Sequence, residues 1–208
     1  MKSTLLISVL LYFLGSNCKK HTYISLNKTS TKQIIAIQPL GNYDEAILLS
    51  VAKEISIFYN KRVILFKPIE IPKTFLNAIS NQYSADSIIH FLSGLRNDSI
   101  VEIVGITHTG IYTIKKNKNM SFFDENIFGM GYLPGNSCII SDIKFWPNDS
   151  AVYNYGLRKI IKHEIGHNAG LPHCSDSNCI MSETNGHFSN LDHIEKDYCI
   201  KCKIKLSR

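Results

Sequence analysis

Three histidines within eleven residues constrain this chain more than any other feature. His163, Glu164, His167, Gly170 and His173 spell H-E-x-x-H-x-x-G-x-x-H. On an α-helix, positions four apart are turned by about 40° and lie roughly 6 Å apart along the axis. The imidazoles of His163 and His167 therefore reach one metal ion from one face of a helix. Glu164 projects beside them, placed to hold a water instead of the metal. Gly170 supplies the left-handed backbone that ends such a helix and lets the chain swing His173 back as a third ligand. Three neutral imidazoles with an open fourth position make the catalytic kind of tetrahedral zinc site. The competing reading is ordinary histidines on an amphipathic helix, and the spaced glycine and third histidine weigh against it.

A cysteine cluster adjoins the motif. Cys174 follows His173 directly, Cys179 closes a C-x4-C pair, and Cys199 and Cys202 form a C-x2-C pair after nineteen intervening residues. Two short-spaced pairs favour a closed structural zinc held by four thiolates. Two disulfides are the rival in an oxidising compartment. Cys138 lies in an apolar run and reads as a buried free thiol.

The rest of the chain has the makings of a core. It has 208 residues, 44% of them hydrophobic, which excludes disordered, collagen-like and coiled-coil classes. Spacing predicts strands over 34–37 (stopped by Pro39 and Gly41), 62–66 and 99–107, with helices over 44–59 and 83–95 between them. Asn42 or Asp44 caps the first helix. That alternation favours an α/β fold with a mixed, largely parallel sheet. A hairpin near a sheet edge is expected from 128–132 and 138–143, then the motif helix over 153–168 and a closing helix over 190–203.

Lys and Arg total 23 against 17 Asp and Glu, a formal +6. The lysines are scattered and read as a solvated surface, so no nucleic acid is expected as a partner. Lys201, Lys203 and Lys205 lack interleaved aromatics for base stacking. His21, His90, His108, His187 and His193 have no partner spacing and read as exposed or satisfied histidines.

The one long apolar run, residues 5–14, spans ten residues. It is too short to cross a bilayer but suits the apolar region of an export signal, with Lys2 before it. Leu14-Gly15-Ser16-Asn17-Cys18 then resembles a bacterial lipoprotein signal, although Asn17 departs from the Gly, Ala or Ser usual there. The expectation is a signal peptide over 1–17, lipidation and membrane attachment at Cys18, a tether over 18–33 and a catalytic domain over 34–203. The protein would then be exported to the cell envelope. The rivals are an ordinary cleaved signal, an uncleaved anchor or, with no working signal, a cytoplasmic protein.

Taken together, these residues resemble the archaemetzincins, zinc metallopeptidases of the metzincin clan. The family signature runs H-E-x-x-H-x-x-G-x-x-H-C-x4-C-x-M, then seventeen residues, then C-x-x-C. His163, Glu164, His167, Gly170, His173, Cys174, Cys179, Met181, Cys199 and Cys202 match it throughout. Weaker likeness includes Gln38-Pro39-Leu40-Gly41, Gln82-Tyr83, Gly105-Ile106-Thr107, Phe128-Gly129 and Arg158. One departure is His108, where relatives tend to carry Asp after the equivalent of Thr107.

The resemblance implies a metzincin-like catalytic domain with an active-site helix and a C-terminal Cys-rich zinc-binding segment. It implies two zinc ions per chain, one catalytic and one structural, the second held by Cys174, Cys179, Cys199 and Cys202. Met181, on its own an ordinary core methionine, becomes the Met-turn that floors the three-histidine site. The expected chemistry is hydrolysis of a peptide or protein substrate by a zinc-activated water, with Glu164 as general base. The alternative is a zinc-binding protein without turnover.

Overall fold

The structure, a computed structural model, describes residues 22–24, 33–117, 120–124, 126–144, 150–183 and 197–206. A six-stranded sheet organises the chain, in the order β1-β3-β2-β6-β10-β9. Its strands are β1 (Thr22–Ile24), β2 (Ile34–Leu40), β3 (Arg62–Leu65), β6 (Ile100–Thr107), β9 (Gly129–Gly131) and β10 (Ser137–Ser141). The central four, β3, β2, β6 and β10, run parallel. Antiparallel β1 and β9 form the two edges. Thr22–Ile24 lies within the stretch expected to be a tether, and there it adds an edge strand to β3.

Strands buried on both faces read as continuous apolar runs, and β2 is of that kind. Its odd residues Ile35 and Ile37 pack in one core with α1 (Glu45–Tyr59) and α3 (Ser150–Asn168). Its even residues Ala36 and Leu40 pack in a second core with α2 (Ala85–Gly94). Asp44 caps α1, its carboxylate accepting from the Ala46 and Ile47 N–H groups. Ser84 caps α2 through the Ser87 N–H.

Three local expectations change. β2 continues through Pro39 to Leu40 instead of stopping before it. The odd carbonyls of β2, Ile37 and Pro39, face the β3 side, accepting from Phe66 and Ile69. The nitrogen Pro39 cannot offer as a donor thus faces a side where β3 has already ended at Leu65. Residues 83–84, expected to open the second helix, fall instead in β5 (Gln82–Ser84), which joins β4 (Leu76–Asn77), β7 (Ile111–Asn117) and β8 (Met120–Asp124) in a second, four-stranded sheet. That sheet was not foreseen; Ile114 of β7 is exposed, which blurs the alternation that marks a strand. The closing helix is α4 (Ile200–Leu206), shorter than the expected 190–203, whose residues 190–196 lie outside the described ones.

A buried carboxylate ties the exits of the central strands together. Asp142, just past β10, accepts from Tyr43 Oη at 2.8 Å and Tyr153 Oη at 2.6 Å, and pairs with His108 Nδ1 at 2.8 Å. The Tyr43 and His108 rings stack with centroids 3.8 Å apart. His108, expected to lack a partner, is held on both sides. Among the described residues, no helix is long and apolar enough to cross a membrane.

Candidate active site

Helix α3 carries the first two histidines beneath the edge strand β9, and the backbone around them fixes both rings. His163 Nδ1 lies 2.8 Å from the Ile180 carbonyl, and His167 Nδ1 lies 2.8 Å from that of Leu171. A carbonyl only accepts, so each Nδ1 carries the ring hydrogen and each Nε2 keeps its lone pair. Those two Nε2 atoms are 3.0 Å apart. Two acceptors do not bond each other; they converge on one point, near the roughly 3.3 Å that tetrahedral Zn–N bonds would set. Burial holds the His163 pKa down at about 4 and lowers that of His167, so both rings stay neutral.

Gly170 ends the helix with φ +92°, and the Leu171 N–H bonds back to the Gly166 carbonyl. The chain then turns so that the His173 ring centroid lies 5.3 Å from that of His163 and 4.9 Å from that of His167. One nitrogen from each of the three rings falls within 4.8 Å of the others. That convergent set of imidazole nitrogens suits zinc.

Glu164 is buried on the side of α3 that faces β9. Strand β9 makes room for it with glycine: a Cβ on Gly129 would lie 2.9 Å from the Glu164 carboxylate, and one on Gly131 would lie 2.7 Å from its carbonyl. Burial raises the Glu164 pKa to about 8, and a hydrogen bond from the Gly131 N–H pulls the other way. Met181 is fully buried against the same helix, where a Cβ on Gly166 would sit 2.4 Å from its sulfur.

The four cysteines also converge. Cys174 and Cys199 Sγ are 3.7 Å apart, as are Cys179 and Cys202, and all four lie within 4.8 Å of one another. A disulfide would hold sulfurs about 2.05 Å apart. Tetrahedral Zn–S bonds of about 2.3 Å put them near 3.8 Å. The thiols are free in this structure, in the geometry of a metal knot and not of two disulfides.

Residues 41–208 match the family model of Peptidase family M54. The archaemetzincin of Methanocaldococcus jannaschii is 30% identical over 172 residues, 83% of this chain and 92% of that protein. The chain belongs to the archaemetzincin family. It is accordingly a zinc metallopeptidase, a hydrolase whose substrates are peptides or proteins. The solved archaemetzincin of Methanopyrus kandleri shares its fold at a TM-score of 0.70 and 22% identity, covering 88% of this chain and 97% of that one. That of Archaeoglobus fulgidus, solved with malonate, gives 0.68 and 28%, covering 83% and 99%.

Against this archaemetzincin frame, the structure brings His163, His167 and His173 into one cluster and Cys174, Cys179, Cys199 and Cys202 into another, with Glu164, Gly170 and Met181 beside the first. Cys18, His21, His187 and His193 lie outside the described residues, and His90 is exposed. Cys138 is buried and free as expected, but it sits against a second buried acid. That acid, Glu102, accepts from Asn168 Nδ2 at 2.6 Å beneath the last turn of α3. Burial raises its pKa to about 8, against the pull of that hydrogen bond. Sequence reasoning missed Glu102, Gly131 and Gly166, and met Gly129 only as part of the family likeness. Alternating glycines on a three-residue strand were the available signal.

Proposed function

We propose that this archaemetzincin cleaves peptide bonds with a catalytic zinc on His163, His167 and His173 and with Glu164 as general base. The observation that carries the reading is the meeting of two carbonyl-anchored Nε2 lone pairs beside a buried carboxylate in a glycine-lined slot. Zinc, when bound, supplies Lewis acidity that polarises the scissile carbonyl and acidifies a water.

The chain's own residues supply the remaining chemistry. Glu164 takes the proton of the attacking water and passes it to the departing amine. The Gly131 N–H keeps the carboxylate aimed. Among the described residues, β9 pairs on one side only, with β10, which leaves its other edge for an extended peptide. Met181 fills the floor beneath the helix. Cys174, Cys179, Cys199 and Cys202 would hold a second, structural zinc, and Cys174 so tied would help fix the neighbouring His173.

Glu164→Gln tests the assignment. We expect zinc content unchanged and hydrolysis of a peptide library reduced roughly 10²–10⁴-fold, the range of general acid–base catalysis. Undiminished cleavage by the purified variant would sink the role of Glu164. We extend the proposal to the leader, in which residues 1–17 direct export and lipidated Cys18 holds the enzyme at the cell envelope. The intact mass of membrane-extracted protein should show loss of 1–17 and gain of acyl chains; an unprocessed N-terminus would refute this part.

A further inference from the structure

The three histidines are not held alike. His163 and His167 each give their Nδ1–H to a backbone carbonyl at 2.8 Å, whereas His173 Nδ1 faces a carboxylate, Glu183 Oε1, at 3.8 Å. Glu183 is not one of the atoms that converge on the shared point, so it stands behind His173 and not among the ligands.

Its place follows from the backbone. The Cys174 N–H donates to the Met181 carbonyl at 2.8 Å, and Cys174 and Ser182 form a parallel bridge. Ser182 N–H in turn donates to the Cys179 carbonyl at 3.0 Å. The segment carrying His173 thus runs alongside the segment carrying Glu183, and the turn that buries Met181 delivers the carboxylate to the outer nitrogen of the third ring. Both side chains are about half exposed, 48% for His173 and 57% for Glu183, so no packing fixes the ring as it fixes the other two.

We infer that Glu183 is the positioning residue for His173, its carboxylate standing at ion-pair distance from Nδ1 and favouring through its charge the tautomer that carries hydrogen there, so that the Nε2 lone pair completes the three-histidine site. This rests on the proposed zinc site at His163, His167 and His173. A ligating imidazole with a carboxylate on its far nitrogen is oriented and made more basic, and loss of such a partner typically costs about 10–100-fold in metal affinity. Exposure and screening place Glu183 at the lower end of that range.

The test is competition between the metal-loaded protein and EDTA, followed by zinc release, for the parent chain, Glu183→Ala and Glu183→Gln. The parent should release one equivalent before the other, because the thiolate-held ion is the more enclosed. Glu183→Ala should release its first equivalent at about tenfold less EDTA and leave the second unmoved. Glu183→Gln, which keeps the side chain's size and a carbonyl dipole but loses the charge, should fall between, a graded response that a merely structural surface residue would not show. Cobalt substitution gives an independent readout, since the histidine-site bands should shift in Glu183→Ala while the thiolate charge-transfer bands stay fixed. Release curves for Glu183→Ala that superimpose on the parent's would overturn the inference. A parent chain that holds metal only at the thiolates would instead overturn the three-histidine reading on which it rests.

Discussion

The two candidate ligand clusters meet at adjacent residues, His173 and Cys174, yet they are built in opposite ways. The histidine cluster hangs on a nineteen-residue helix packed against the main core, with two rings anchored to carbonyls. The thiols come from loop residues and a seven-residue helix, joined by isolated bridges and a small core of their own. In the first, tertiary packing sets the geometry before any ion arrives. In the second, the segments 174–183 and 197–206 meet through a small core and a few backbone bonds, so an ion bound there would do much to organise them. Reactivity needs a rigid frame with an open position, whereas a staple needs only closure.

The sharpest way to break this contrast is Cys202→Ser. Structural zinc contributes on the order of 10 kcal/mol in folds that depend on it, so the variant should lose one zinc equivalent and melt the cysteine segment. Hydrogen exchange should show protection lost at 197–206 and kept in α3 and β6. Equal loss across α3 would mean that the two regions stand or fall together. Gly129→Ala comes next in size. Its Cβ would press on the Glu164 carboxylate at 2.9 Å, which should cut kcat about tenfold or more, as misplaced catalytic groups do. Zinc content, measured alongside, should not change. Full activity would show that the slot on β9 has slack.

A third effect, on stability and not on turnover, lies beneath the helix frame. Glu102 has a pKa of about 8, above its ordinary value of 4.5, because burial favours its neutral form. The folded state therefore holds that proton where the unfolded chain releases it. This stabilisation is complete below pH 4.5 and is lost as pH rises toward 8. Glu102→Gln should remove a slope of at most about 1.4 kcal/mol per pH unit over that window. Denaturant titrations of both proteins from pH 5 to 8 would read it, and parallel curves would show that Glu102 carries no such linkage.

Much of this was legible in the residues. The motif helix, its glycine stop and both ligand clusters follow from spacing, because ligands close in sequence leave the chain few ways to present them. The parallel core followed from apolar runs bounded by turn residues. What the sequence hid depends on partners distant along the chain. Thr113 of β7 finds its hydrogen bond on Asp86 of α2, and Pro39 is tolerated only because β3 stops short of it. Gly131, Gly166 and Glu102 matter for what lies across from them, which no local pattern reports.

The knot of Tyr43, His108, Tyr153 and Asp142 has a topological consequence. The chain leaves β2 for β3 over one face, then returns to β6 on the other side of β2 over the opposite face. Open α/β sheets reverse direction at such a point and leave a crevice outside the carboxyl ends of the strands, where their ligands settle. Here side chains from the β2, β6 and β10 exits and from α3 fill that crevice and bond to one another across it. With that crevice filled, the candidate active site lies instead along the short glycine-rich margin beside α3.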